Sequence, residues 1–488
     1  MENFDLVLRH GTCATASDTF RADIGIKEGR IAAIGESLST GAREIDATGK
    51  LILPGGVDSH CHLAQETVDG VECADDFESG TRSAAFGGTT TVMPFAMQQP
   101  GKTLGETVAA YHALAGPKAI IDYGFHLILR DPNPQVLGQE LPAMIEQGIT
   151  SFKVYMTYDT FKLDDYELLT VLSAARTLGA MMMVHAENDD IIRWLSEKLT
   201  TGGHRAPKYH AIAHARIAES EATRRAIDLA SLTDTPMLIV HVSDEAATSA
   251  IRSAQTAGLK IFGETCPQYL FLTAADLDRD GLEGAKYCCS PPPRDSKGQE
   301  AIWRGLKNGT FQVFSSDHAP YRFDQTGKLR YGLDASFTQL ANGVPGLELR
   351  LPLLFSEGVN TGRLTVNEFV ALTATNAAKL YGLHPRKGTI AVGADADLAI
   401  WDPNKKVAVE YDTMIHDAVG FTPYEGRHLT GWPETVLSRG RVVIENATLC
   451  TQPGSGKFLD CAKPDAALPT GRLHPEANPA ENGGARLI

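Results

Sequence analysis

The chain has 488 residues, 43% of them hydrophobic and 22% charged, an ordinary composition for a soluble globular protein with a large domain and a smaller one. Its formal net charge of −15, with no long basic run, argues against nucleic acid or an anionic membrane as a partner. No apolar run approaches the ~20 residues needed to span a bilayer, the opening "MENFDLVLRHGT" reads as a strand and not as a leader, and eight cysteines without CxxC spacing point to reduced thiols in the cytoplasm.

The first fifty residues read as short strands separated by Gly and polar turns: "DLVLRHGT", "ADIGIKEGRIAAIG" and "REIDATGKLILPG". A similar pattern returns late, in "GTIAVGADADLAIWDP" and "ETVLSRGRVVIENATL", so the two ends are expected to pair into one small β-sandwich. Between them, apolar runs alternate with helical stretches: "TTTVMPFA", "DYGFHLIL", "ITSFKVYM", "MMMVHAE", "PMLIVHVS", "LKIFGETC" and "TFQVFSSDHA". Strands that are apolar throughout and separated by helices imply buried parallel pairing. The fold class expected is α/β, a (β/α)8 TIM-type barrel flanked by the sandwich from both chain ends. A doubly wound sheet with a Gly-rich phosphate loop is the weaker reading, since no GxGxxG or Walker sequence occurs. The divisions expected are residues 1–53 and 386–458 for the sandwich, 54–385 for the barrel, and 459–488 for a Pro/Ala/Gly-rich tail without a core of its own, either loose or docked on a neighbouring subunit.

Chemistry-bearing residues gather at the ends of the apolar runs. In "LPGGVDSHCHL", His60 and His62 stand two apart, which on a strand sends both imidazoles to one face. His185 in "VHAEN", His241 in "VHVSDE" and Asp317 in "SSDHAPY" each close another run. Singly, these strand-end residues are weak signals, since hydrogen-bonded structural histidines are common; together they place four imidazoles and a carboxylate at one barrel mouth, the end where such barrels carry their chemistry. Lys153 in "TSFKVYM" is costly to bury as an ammonium, and either snorkels to solvent or is carbamylated into a bridging carboxylate. His126 is expected in the core or just behind the ligands, and His318 to face away from its neighbour Asp317. His204, His210 and His214 lack HExxH spacing and read as surface residues.

With "SFKVYMTYD", "VHAEN", "ETCPQYL", "CSPPPR", "NGVPGLELR" and "RKGTIAVGADADLAIWDP", the chain resembles the amidohydrolase superfamily, and within it the dihydropyrimidinase and hydantoinase branch, from about Asp5 to Phe458. The resemblance implies two zinc ions, one held by His60, His62, Lys153 and Asp317, the other by carboxylated Lys153, His185 and His241. It further implies that Asp317 shuttles the proton, that Tyr158 donates to the oxyanion, and that Ser290 and Asn342 hold a small cyclic ureide or imide. The loops Ala64–Asp76 and Thr157–Asp165 are expected to shape the pocket for the ring substituent. The reaction implied is hydrolytic opening of dihydropyrimidines or 5-substituted hydantoins to N-carbamoyl amino acids, in a homotetramer. "SPPPRD" and "FTPYEGRHLTGW" resemble the allantoinase branch more closely. An imidase, or a non-enzymatic assembly protein like the collapsin response mediators, is the remaining alternative; the complete ligand set speaks against the latter.

Overall fold

The computed structural model describes residues 4–65 and 70–487, so part of the Ala64–Asp76 loop lies outside the described residues. Five strands open the chain: β1 (Phe4–Ala14), β2 (Thr19–Lys27), β3 (Arg30–Gly35), β4 (Gly41–Asp46) and β5 (Leu51–Pro54). The barrel follows, with β6 (Gly56–Cys61), β7 (Thr89–Met97), β8 (Asp122–Tyr123), β9 (His126–Ile128), β10 (Ser151–Tyr155), β11 (Met181–His185), β12 (Met237–Ile239), β13 (Ile261–Thr265) and β14 (Val313–Phe314). Four strands return to the ends: β15 (Leu398–Ala408), β16 (His428–Ser438), β17 (Arg441–Glu445) and β18 (Thr448–Leu449).

Strands β6, β7 and β9 to β14 lie side by side in parallel, with β8 an accessory to β7. The two edges meet where Cys61 bridges His318, with Asp317 N donating to His60 O (2.9 Å) and His62 N to His318 O (2.7 Å). Helices such as Asp165–Leu178 and Arg216–Thr233 cover the outside. Strand alternation sorts the residues. Met182 and Val184 pack outward toward the helices, while Met181, Met183, Phe95 and Tyr155 fill the lumen. β6 departs from this rule: its register against β7 shifts between Asp58 and Cys61, so that Val57 lies in the lumen cluster while Cys61, four residues on, joins the outer core. That irregularity turns His60 and His62 inward together, a re-aiming that bulges beside functional sites often provide.

The end strands form one nine-stranded, mostly antiparallel sheet in the order β18-β17-β16-β15-β5-β1-β2-β3, with β4 beside β1. The two chain ends join directly where Leu51–Pro54 pairs with Leu398–Trp401. The tail, expected to be loose or to dock on a neighbour, is tied to its own barrel. Leu459, Cys461 and Ala467 pack into the lumen cluster of Met93, Met181 and Met183. Cys461 N donates to Gly148 O, Ala462 N to Gly382 O, and the Asp234 carboxylate accepts from the amides of Thr470 and Gly471. Its apolar residues are too sparse to make a core, yet sufficient to plug a floor that the strands leave open. Among the described residues no helix is long and apolar enough to cross a membrane.

The barrel and the end sheet are pinned by a buried ion cluster. Lys387, 1% exposed, places Nζ 2.7 Å from Asp122 and Asp397 and 3.0 Å from Asp395, while Arg439 Nε lies 3.0 Å from Asp122. Removing one partner of such a group leaves like charges buried together. Lys387→Met is therefore expected to cost roughly 3–5 kcal/mol, read as a lower denaturant midpoint; an unchanged midpoint would show that the cluster contributes nothing.

Candidate functional site

The six residues singled out in the sequence converge at one mouth, although Lys153 stands in the middle of β10 and not at its end. His60 Nε2 and His62 Nε2 lie 3.2 Å and 3.5 Å from Asp317 Oδ1, and Lys153 Nζ lies 2.9 Å from His60 Nε2. The His60 and His241 rings are 5.5 Å apart between centroids, and those of His185 and His241 are 4.4 Å apart. His60, His62 and Asp317 offer ligand atoms within 4.8 Å of one another. Lys153 does not snorkel: it is 1% exposed, mid-strand in β10, with Nζ 4.8 Å from the ring centres of Phe95 and Tyr155.

The outer faces of these groups are held by residues that sequence reasoning passed over. His60 Nδ1 lies 2.6 Å from Glu264 Oε1, and His62 Nδ1 contacts Gln65 Oε1. His185 Nε2 lies 2.7 Å from Glu187 Oε2, whose other oxygen is 2.9 Å from His214 Nδ1. With their outer nitrogens engaged, His60 and His62 turn Nε2 toward Asp317, and His185 retains Nδ1. His241 Nδ1 is buried and finds no hydrogen-bond partner among the described residues. Neutral imidazoles are the ligand form, and burial pushes His60 and His241 well below the usual histidine range. Nitrogen and carboxylate donors with fixed outer contacts fit a divalent metal of the zinc type.

Electrostatics bear the marks of a functional cluster. Burial pushes the Lys153 ammonium down and the Glu264 carboxyl up, each opposed by the other's charge. Burial would raise Asp317 too, but His60, His62 and Lys153 outweigh it and hold the carboxyl at about 2. Beneath the site, Asp58 Oδ1 accepts from the amides of His60 (3.3 Å) and Ser316 (3.1 Å), fixing both ligand-bearing strands. Arg350, wholly buried, spans Phe314 O, Thr89 Oγ1 and, at 3.5 Å, Asp58 Oδ2.

A cavity of about 410 Å³ opens over the cluster, lined by Tyr158, Ser290 and Asn342 together with Phe161, Tyr321 and Leu340. Tyr158 follows β10 with its ring 5.4 Å from that of His185. Tyr158, His241 and Asp317 have φ of 72°, 39° and 45°, left-handed backbone that non-glycine residues adopt at a cost. Thr157–Asp165 contributes Tyr158 and Phe161 to the wall, and Gln65 comes from the start of the Ala64–Asp76 loop.

Two expectations need correction. His210 and His214 are buried, not surface residues. The short helix Tyr209–Ala213 brings His210 Nε2 to Cys289 O (2.9 Å) and His214 to Glu187, so the spacing in sequence concealed non-local partners. His204 is exposed as read. His126 is a core residue between Ser151 and Ser59 O, and His318 turns away to Asp75 (3.0 Å). Glu264 carried a signal, an acid closing an apolar strand. Gln65 carried none.

The family model described as Amidohydrolase family matches residues 51–443. The chain is 46% identical to D-hydantoinase from Geobacillus stearothermophilus over 465 residues, 95% of this chain and 98% of that one. It is 43% identical to D-hydantoinase from Ralstonia pickettii over 457 residues, 93% and 98% of the two chains. The crystal structure of dihydropyrimidinase from Brevibacillus agri NCHU1002 superposes with a TM-score of 0.91 at 42% identity, covering 94% of this chain and 99% of that one.

Proposed function

The chain belongs to the amidohydrolase family, and from that premise we propose that it hydrolyses a cyclic amide bond, opening dihydropyrimidines or 5-substituted hydantoins to N-carbamoyl amino acids. The observation that carries this reading is the convergence of His60, His62, Lys153, His185, His241 and Asp317 beneath the cavity that Ser290 and Asn342 line.

Two zinc ions fit the reading. One would be held by His60, His62 and Asp317, the other by His185 and His241, with N6-carboxylated Lys153 shared between them. Carboxylation requires a neutral amine, and the burial that lowers the Lys153 pKa favours that form. Bound metal supplies water activation and carbonyl polarisation near neutral pH. Asp317, ionised across the neutral range, accepts the proton of the attacking water and returns it to the departing ring nitrogen. The Tyr158 phenol, held protonated by burial, is a donor for the oxyanion that forms on the ring carbonyl. Backbone groups at Ser290 and Asn342 match the donor–acceptor edge of a cyclic ureide.

A homotetramer fits the same reading: Trp194, Ile212 and Ile217, exposed by 59%, 51% and 62%, offer apolar contact area on neighbouring helices. Eight unpaired cysteines support a reducing compartment, the cytoplasm.

Turnover of dihydrouracil, hydantoin, allantoin and succinimide on one metal-loaded preparation tests the proposal. Dihydrouracil and hydantoin should exceed allantoin and succinimide by at least tenfold in kcat/KM. Rapid allantoin opening with inert dihydrouracil would transfer the protein to the allantoinase branch. A preparation that neither contains nor takes up metal would favour a non-enzymatic role.

A further inference from the structure

We propose that Lys328 is a positioning residue that locks together the two loops presenting Ser290 and Asn342 to the substrate; the inference rests on the cyclic-amide reading above. Lys328 lies in the segment that covers the cavity from Tyr321 to Ala341, a part of the chain to which neither the metal cluster nor the proton chemistry assigns a role. Its side chain is 1% exposed, and among the described residues no carboxylate pairs with it. Nζ donates instead to two backbone carbonyls, Ala341 O at 2.8 Å and Cys288 O at 3.3 Å. These carbonyls stand one residue before Asn342 and two before Ser290. A single ammonium therefore bridges both loops.

A buried ammonium whose hydrogen bonds go only to neutral carbonyls, with the Tyr321 ring centre 5.9 Å away, is expensive, and burial pushes it down to about 8. Its hydrogen bonds go to main-chain atoms alone, so the charge acts on placement of the backbone. Peptide planarity shows what is placed. In a trans peptide the N–H points opposite the carbonyl, so drawing Ala341 O and Cys288 O toward Lys328 presents the Asn342 and Cys289 amides on the far side. Among the described residues neither amide has an acceptor within the protein, and both residues line the cavity. The arrangement is braced from other directions. Gly343 N donates to the same Cys288 carbonyl (2.9 Å), and a Cβ at Gly343 would stand 2.5 Å from Ala319. The Asn342–Gly343 turn is thus pressed against the chain just beyond Asp317 on one side and tethered by Lys328 on the other.

Lys328→Met, which keeps the stem and removes the donors, tests this in the metal-loaded enzyme. KM for dihydrouracil and hydantoin should rise at least tenfold, kcat should change less than threefold, and metal content should equal that of the unaltered protein. In Lys328→Ala, n-propylammonium should restore KM saturably. A general structural role would lower kcat, metal content and melting temperature together, without rescue. An unchanged KM in the Met variant, a fall in kcat at constant KM, or a failure of both variants to fold would each overturn the assignment. An unaltered enzyme that opens neither ring would remove the functional reading instead; one that opens both while Lys328→Met keeps its KM removes only the role of Lys328.

Discussion

Lys153→Ala is expected to lose metal and ring-opening activity together, by roughly 10³-fold or more in kcat/KM, or about 4 kcal/mol of transition-state stabilisation. The side chain lies at the centre of the cluster, 1% exposed and 2.9 Å from His60 Nε2, so on the proposed two-metal reading its removal takes away the anion that the two halves of the ligand set would share. Four imidazoles and one carboxylate would then have to hold two dications, too little negative charge for a buried site. Elemental analysis and turnover should fall in parallel while the thermal melt stays cooperative. Short carboxylic acids at millimolar concentration should restore part of both, by standing where the carboxylated lysine would. Full metal content and full activity in this variant would refute the bridge.

Asp317→Asn separates proton transfer from architecture. Asparagine is nearly isosteric and tolerates left-handed backbone, so the 45° φ at this position survives the change. Its amide oxygen can still face His60 and His62, but it cannot accept the proton of a water molecule. Saturating kcat should fall by roughly 10²–10⁴-fold, the usual contribution of general acid–base catalysis. A kcat within tenfold of the unaltered enzyme would reassign the proton to another group.

The barrel was legible because buried parallel strands leave an unmistakable record: runs such as "MMMVH" and "PMLIVH" are apolar on both faces and end in a polar residue. The candidate ligands could be read for the same reason, since each closes or interrupts such a run. Simple alternation did not hold everywhere. His60 and His62 face inward only because β6 slips against β7 after Asp58, a displacement that no local pattern announces. The groups behind the ligands were harder to see. Glu187 meets His214 across 27 residues and Glu264 meets His60 across 204, so their roles depend on closure of the barrel and not on neighbours in sequence. Lys328 is the extreme case, a lysine in a polar loop whose partners are main-chain atoms and therefore carry no residue identity to recognise. In the tail, Pro, Ala and Gly suggest a segment that is loose or docked on a neighbour, and its contacts with its own barrel rest on three scattered side chains and on main-chain hydrogen bonds that composition does not show.

The pairing of β5 with β15 has a consequence for biosynthesis. Leu51, Ile52 and Leu53 emerge from the ribosome with one edge of their strand unpaired, and their partners Trp401, Ile400 and Ala399 follow only about 350 residues later. At ~5–20 residues per second, the nascent chain carries that apolar edge for roughly 20–70 s. An unsatisfied hydrophobic strand edge is a template for pairing with another chain. Translation, more than the finished fold, is thus the stage at which this strand edge is open to pairing with another chain.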